Sequence, residues 1–179
     1  MNKVLYHTKY LELKSTKTHS GSDWVYAHRP NAKDVVIILA TTNDEVLFLL
    51  ENRPPIQNEN KGKYTIGLGA GLVGDERIDE SIEDAIKTEL FEEAGLIADE
   101  IEIKTKKVAS SAGCVSETSS IAIVHINDKT PLQTPLNDNG VIAERIWVKK
   151  SEIKTWLKKM EDEGNVLTAQ ALAALFYLN

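Results

Sequence analysis

The stretch GDERIDESIEDAIKTELFEEAGL, residues 74–96, decides how this chain folds. Its middle reads as a helix with both ends marked. Ser81 can cap the first turn, with Asp84 three residues on. Ile82, Ala85, Ile86 and Leu90 recur at i, i+3, i+4 and i+8, the spacing of a stripe that faces a core. Gly95 stands where a helix commonly turns left-handed and stops. The pattern predicts a helix over 81–94. Glu89, Glu92 and Glu93 fall at i, i+3 and i+4 and share one face of it. Like charges so placed cost about 0.2–0.5 kcal/mol per pair even in water. Two readings follow: a solvated acidic face, or a face whose repulsion is offset by a divalent cation. Mg²⁺ and Mn²⁺ are the ions suited to all-oxygen ligands.

The acidity extends beyond the helix. Between Asp75 and Glu100 there are eleven acidic residues, opposed only by Arg77 and Lys87. The whole chain of 179 residues carries a net charge of −6, so this one segment sets its sign. Such a field repels a nucleic-acid backbone, and no nucleic-acid partner is expected. Hydrophobic residues make up 42% and charged residues 27%, a balance that supports one packed domain. No apolar run reaches the roughly 20 residues needed to span a bilayer, and no secretion signal is visible at Met1–His7. Cys114 is the single cysteine, which suits a reducing cytoplasm.

Working outward, Val35–Ala40 is a β-branched run typical of a strand buried on both faces. Glu45–Leu50 should pair with it across the Thr42-Asn43-Asp44 turn. Val4–Lys14 and Trp24–His28 read as two strands of an N-terminal hairpin, with Thr16–Asp23 as its turn. Pro54–Gly62 reads as a polar loop. Tyr64–Leu72 contains Gly67, Gly69 and Gly71, which permit close approach of another group to the backbone. Ile101–Val108, Ser120–Ile126 and Glu144–Val148 read as further strands. Ser151–Glu161 and Thr168–Leu178 read as amphipathic helices. Strands and helices mix without strict alternation, so the expected class is α/β or α+β.

The spacing Gly74, five residues, Glu80, seven residues, Thr88-Glu89-Leu90-Phe91-Glu92-Glu93-Ala94-Gly95-Leu96 resembles the Nudix box, G-x5-E-x7-R-E-U-x-E-E-x-G-U with U aliphatic. It agrees at every fixed position but one, where Thr88 replaces arginine. Glu51-Asn52-Arg53-Pro54 is similar to the Q-x-R-P segment of the ADP-ribose pyrophosphatases within that superfamily. Leu68-Gly69-Ala70-Gly71 is similar to their L-P-A-G turn, and Ser111–Ser120 to their S-P-G-x-x-S-E-x-S-S loop. Either Gly71 or Gly74 can be taken as the box glycine.

The resemblance implies an α/β/α sandwich with a mixed central sheet. It implies an N-terminal β-hairpin over residues 1–30 that serves dimerisation, and a Nudix domain over 31–179. It implies metal contacts from Ala70, Glu89, Glu92 and Glu93, with Mg²⁺ or Mn²⁺ as the ion. Glu92, Glu93 and Glu117 would be catalytic, Glu117 orienting or deprotonating the attacking water. Arg53, Gly71 and Gly113 would contact substrate, and Glu80 would be structural. The implied reaction is hydrolysis of a nucleoside diphosphate-sugar, ADP-ribose giving AMP and ribose 5-phosphate. The alternatives are another nucleoside diphosphate derivative, a dinucleoside polyphosphate, or a catalytically impaired binding module. A cytoplasmic homodimer is expected. Read bottom-up, Arg53 is either a surface arginine or a phosphate fork, and Glu117 either caps a turn or acts as base. Thr88 cannot supply the charge an arginine gives the box glutamates, and Lys87 points about 100° away. Trp24 is read as a packing residue that could border a base-binding cleft.

Overall fold

The computed structural model describes residues 2–75, 77, 79–135 and 140–178. Glu76 of the acidic run and Asn179 at the end of the expected domain lie outside them. The chain forms a three-stranded antiparallel sheet and an eight-stranded mixed sheet with helices on both faces.

The small sheet comprises β1 (Lys3–His7), β2 (Glu12–Lys17) and β3 (Asp23–His28), in the order β1-β2-β3. The expected hairpin is β2–β3, extended by one more strand. Val4–Lys14 does not run straight: Thr8 Oγ1 accepts from the amides of Tyr10 and Leu11, and this short turn breaks the run in two. The side chains of Tyr10 and Leu11 made the turn look like strand.

The large sheet is built around β4 (Asp34–Thr41) and β5 (Glu45–Glu51). On β4, Val36, Ile38 and Ala40 enter one core while Ile37 and Leu39 enter the other. On β5, Leu47 and Leu49 face the first core, and Val46, Phe48 and Leu50 the second. This is the period of two expected of a strand covered on both sides. β9 (Thr118–His125) runs parallel to β4 from Val35↔Ser119 to Thr41↔His125, with β8 (Glu100–Ala109) outside it. β10 (Ile142–Lys149) pairs with β5.

The expected β4–β5 pairing is confined to the turn, at Thr41↔Val46. Beyond it the strands diverge. β6 (Thr65–Gly67) takes the open edge of β5, and β7 (Gly69–Val73) takes that of β4. Leu68, buried between them, marks the crossing. A two-residue β11 (Val166–Leu167) adds to β6 in parallel.

The decisive helix is α2 (Ile82–Ala94). The Asp84 amide donates to Ser81 Oγ, and Gly95 turns left-handed at φ 70°. Ala85, Ile86, Leu90 and Ala94 are buried against the first core. A fully buried Ile or Leu of this kind contributes about 1.5–3 kcal/mol. The second core is closed by α3 (Ile153–Asp162) and α4 (Ala169–Leu175), with Thr168 capping the latter. The result is the expected α/β/α sandwich. The supposed loop after Arg53 contains a short helix, α1 (Pro54–Asn60). Proline at the first helical positions is compatible with helix because those amides lack intrahelical partners. No helix among the described residues is long and apolar enough to cross a membrane.

Candidate active site

Gly67, Gly69 and Gly71 alternate along the β6–β7 run, and each faces a carboxylate. A Cβ on Gly71 would lie 2.0 Å from Glu89 Oε1. One on Gly69 would lie 3.2 Å from Glu93 Oε2, and one on Gly67 would lie 3.0 Å from Glu51 Oε2. The glycines thus form a floor that lets three acids from two elements approach the backbone. At Gly71 any side chain would expel Glu89, because its Cγ and carboxyl carbon are also within 2.1 Å. Helix α2 supplies Glu89 and Glu93, and β5 supplies Glu51 at its end.

The two candidate box glycines do different things. Gly74 adopts φ +84° and its amide donates to Glu80 Oε2 at 2.9 Å. The Glu80 side chain is only 3% exposed and also meets Arg77. Gly74 and Glu80 therefore tie the loop before α2 together, which is the structural role expected of Glu80. Gly71 serves the close approach of Glu89.

Glu89, Glu92, Glu93, Ala70, Gly71, Arg53 and Glu117 all line one cavity of about 480 Å³, so seven of the eight metal, catalytic and substrate positions named by resemblance converge on it. The eighth, Gly113, is not among its lining residues. Its carbonyl instead accepts from the Trp24 indole at 2.9 Å, so Trp24 secures the loop. A second hollow of about 380 Å³ adjoins the first and shares Val35, Arg53, Ala70 and Glu117 with it.

Glu93 has the strongest electrostatic signature. Burial, followed by the neighbouring charge of Glu89, pushes its carboxyl up to about 8. The Ala70 amide, at 3.3 Å, and the positive charge of Arg53 pull the other way, while Glu51 adds to the rise. A buried acid beside other acids is a place where a cation is favoured.

Three residues absent from the sequence reading complete the surroundings. Glu51, 4% exposed, accepts from Arg53 at 2.5 Å and from Thr65 at 3.2 Å. Arg29, just past β3, donates to Glu117 at 2.9 Å. Arg145 on β10 donates through Nε to the backbone carbonyl of Glu93. Burial lowers the Arg145 guanidinium below its ordinary value, and the Glu93 charge opposes that shift. Arg29 and Glu117 are 88 residues apart and Arg145 and Glu93 are 52 apart, beyond any spacing rule. Glu51 lies inside the quoted Glu51–Pro54 segment, where only Arg53 was singled out.

The loop carrying Glu117 is docked onto β3. Ala27 donates to Cys114 O at 2.8 Å and accepts from the Ser116 amide at 3.0 Å. His28 Nδ1 meets Ser116 Oγ at 2.9 Å. At the loop's far end, Thr118 and Ser120 donate to the Asp34 carboxylate.

Comparison with known proteins agrees with this geometry. A model of the NUDIX domain matches residues 30–170. No curated protein matches the sequence. Among solved structures, that of an ADP compounds hydrolase superposes with a TM-score of 0.71, covering 99% of this chain and 89% of that one at 18% identity. At that identity the likeness speaks for the fold. With the family model spanning most of the chain, the expectation raised by residues 74–96 is met: this chain belongs to the NUDIX domain family of pyrophosphohydrolases.

Proposed function

We propose that the protein hydrolyses the diphosphate bridge of a nucleoside diphosphate-sugar, with ADP-ribose as the leading substrate and AMP and ribose 5-phosphate as products. One observation carries the reading. Helix-borne carboxylates, a phosphate-matching arginine and a loop-borne carboxylate face one cleft, whose volume of about 480 Å³ is in the range of small-molecule sites. The adjoining hollow gives room for a second end of the substrate beyond the diphosphate. The likeness to an ADP compounds hydrolase supports the same substrate class.

Among the described residues no three acid, histidine or cysteine side chains are gathered into a ready-made metal cage. The donor set nevertheless fits a magnesium-like ion. Mg²⁺ retains several waters and binds through one or two carboxylates plus substrate phosphates. Glu89, Glu92, Glu93 and the Ala70 carbonyl would hold it. A bound ion would supply neutralisation of phosphoryl charge and a more acidic water.

The chain's own groups do the rest. Arg53 exchanges its Glu51 partner for phosphate oxygens, which its planar fork matches. Glu117 turns from Arg29 to the attacking water and accepts its proton. Water oxygen bonds to one phosphorus as the bridging P–O bond breaks, and the nucleoside monophosphate leaves with the bridge oxygen or with the water oxygen, according to which phosphorus is attacked. Glu92 shares metal binding or proton transfer. Gly71, whose open side Glu89 fills, would meet substrate through its backbone at the cleft wall, and Gly113 would contact substrate only after the loop moves.

A panel of nucleoside diphosphate-sugars and dinucleoside polyphosphates, assayed with Mg²⁺, with Mn²⁺ and with chelator, tests this. The expected result is metal-dependent AMP release, greatest with ADP-ribose. Preference for another member would replace the substrate, and binding without turnover on every member would make the protein a nucleotide-sugar binding module.

We further propose a homodimer that buries the small sheet. Val4, Leu5, Tyr6, Tyr10, Leu11, Leu13, Trp24 and Val25 are all at least 40% exposed there, an apolar density uncommon on a monomer surface. Sedimentation at micromolar concentration should give twice the chain mass, and a charge at Leu5 or Tyr6 should halve it. A monomer at that concentration would remove the proposal. The exposed, unpaired Cys114 is in keeping with a reducing, cytoplasmic setting.

A further inference from the structure

Helix α2 presents an electrostatic problem that its own sequence does not solve. The C-terminal end of a helix carries partial negative charge, so anions there are unfavourable and cations favourable. Yet Glu89, Glu92 and Glu93 crowd the last two turns, and the last turn contains no basic residue. The last carbonyls also need donors from outside the helix. Gly95 and Leu96 amides reach Phe91 O and Leu90 O, and Gln133 reaches Phe91 O as well. The carbonyl of Glu93 is served by Arg145.

Arg145 comes from β10, opposite Leu49 on β5. It shares a face of that strand with Trp147, which packs on the α2 side. Its half-buried guanidinium sits at the helix end where the dipole and the glutamates both call for positive charge. Position 88, the one fixed box position that departs from the pattern, holds a neutral threonine. It lies four residues before Glu92, on a neighbouring cleft with it.

We propose that Arg145 is the positioning residue of this site: by binding the Glu93 carbonyl from β10 it fixes the last turn of α2 and supplies the charge that Thr88 does not. The inference rests on the metal-assisted reading of the cleft. Arg145 is not among the residues that line the cleft. It acts through Glu93, whose side chain it holds over Gly69 by anchoring the backbone. Partners that orient metal ligands in this way typically alter affinity or activity 10–100-fold when removed.

The test uses the full chain with Arg145→Gln, Arg145→Lys and Arg145→Gln/Thr88→Arg. Mn²⁺ binding without substrate is followed by electron paramagnetic resonance, alongside kcat, KM for ADP-ribose and melting temperature. Arg145→Gln should weaken Mn²⁺ binding and lower kcat, each by about 10-fold or more, with KM changed less than about twofold. Arg145→Lys should recover part of both, and adding Thr88→Arg should recover part in the glutamine background. Arg145→Gln matching the wild type in Mn²⁺ affinity and kcat would overturn the proposal. So would a loss that follows melting temperature and that neither lysine nor Thr88→Arg relieves, which would mark Arg145 as packing. A wild type that binds no Mn²⁺ and hydrolyses no panel member would overturn the functional reading itself, and this role with it.

Discussion

Glu93→Gln should lower kcat for ADP-ribose by about 10³-fold while leaving the metal-free fold intact or more stable. The two effects have one cause. The Glu93 carboxylate lies against Gly69 and the Ala70 amide, close to Glu89 and Glu51. Ionised, it is a buried charge among like charges, which opposes folding. Glutamine keeps the shape and removes the charge. It also removes the oxygen anion that would hold a cation against the substrate. Initial rates and thermal melts on the same samples check both halves. Turnover within a few fold of wild type would take Glu93 out of the mechanism. A sharp fall in melting temperature would show that its charge supports the fold instead.

The metal-free protein should lose stability as pH rises from about 5 to about 8, and a divalent cation should cancel that loss. Glu93 is raised to about 8 from an ordinary 4.5, so between those values the native state holds a proton that the unfolded chain has released. Stability then falls with pH, because the slope follows the protons bound by the unfolded state minus those bound by the native state. The loss begins above about 4.5 and is complete near 8. Glu12, Asp23, Asp84, Glu102 and Asp128 are shifted the other way, downward by hydrogen-bond partners, led by Lys14, Lys17, Ser81, Lys104 and Thr130 respectively. Their stabilisation is lost only as pH falls through the acid range, so it does not mask the Glu93 effect. A cation present at about 100 times its dissociation constant adds roughly 2.7 kcal/mol. For a domain of this size that corresponds to roughly 5–10 °C in melting temperature. Melts at pH 5, 6.5 and 8, with Mg²⁺, Mn²⁺ or chelator, should show the cation effect growing with pH. In Glu93→Gln both the pH slope and most of the cation effect should vanish. A flat profile in the metal-free wild type would show that Glu93 is already compensated within the protein.

Where local pattern carried the information, the sequence was readable. The cap, stripe and stop of α2 lie within fifteen consecutive residues, and the helix forms as read. β4 alternates between two cores as a doubly covered strand must. The cleft was legible because its acids come from one helix and one loop that match a known spacing. What escaped was non-local. The divergence of β4 and β5 is decided by β6 and β7 inserting at their open edges, which neither strand encodes. Arg29, Glu51 and Arg145 look like ordinary polar residues until the fold brings them to Glu117, Arg53 and Glu93. Local misreadings had local causes: Tyr10 and Leu11 gave a turn the look of a strand, and the polar run after Arg53 hid a helix that starts on two prolines. Gly113, assigned to substrate by resemblance, also has its carbonyl bound by the Trp24 indole 89 residues away, a contact no local pattern shows.

The docking of the Glu117 loop on β3 bears on how this chain can be divided. Trimming away the first 30 residues to leave a minimal catalytic body would remove Trp24, Ala27, His28 and Arg29, and with them the loop's contacts to Gly113, Cys114, Ser116 and Glu117. The shortened chain would keep both cores and the box helix but lose the moorings of the loop that carries Glu117. The amino-terminal segment therefore holds one wall of the cleft as the acidic helix holds another, and a cut between them would leave the Glu117 loop without its backing strand.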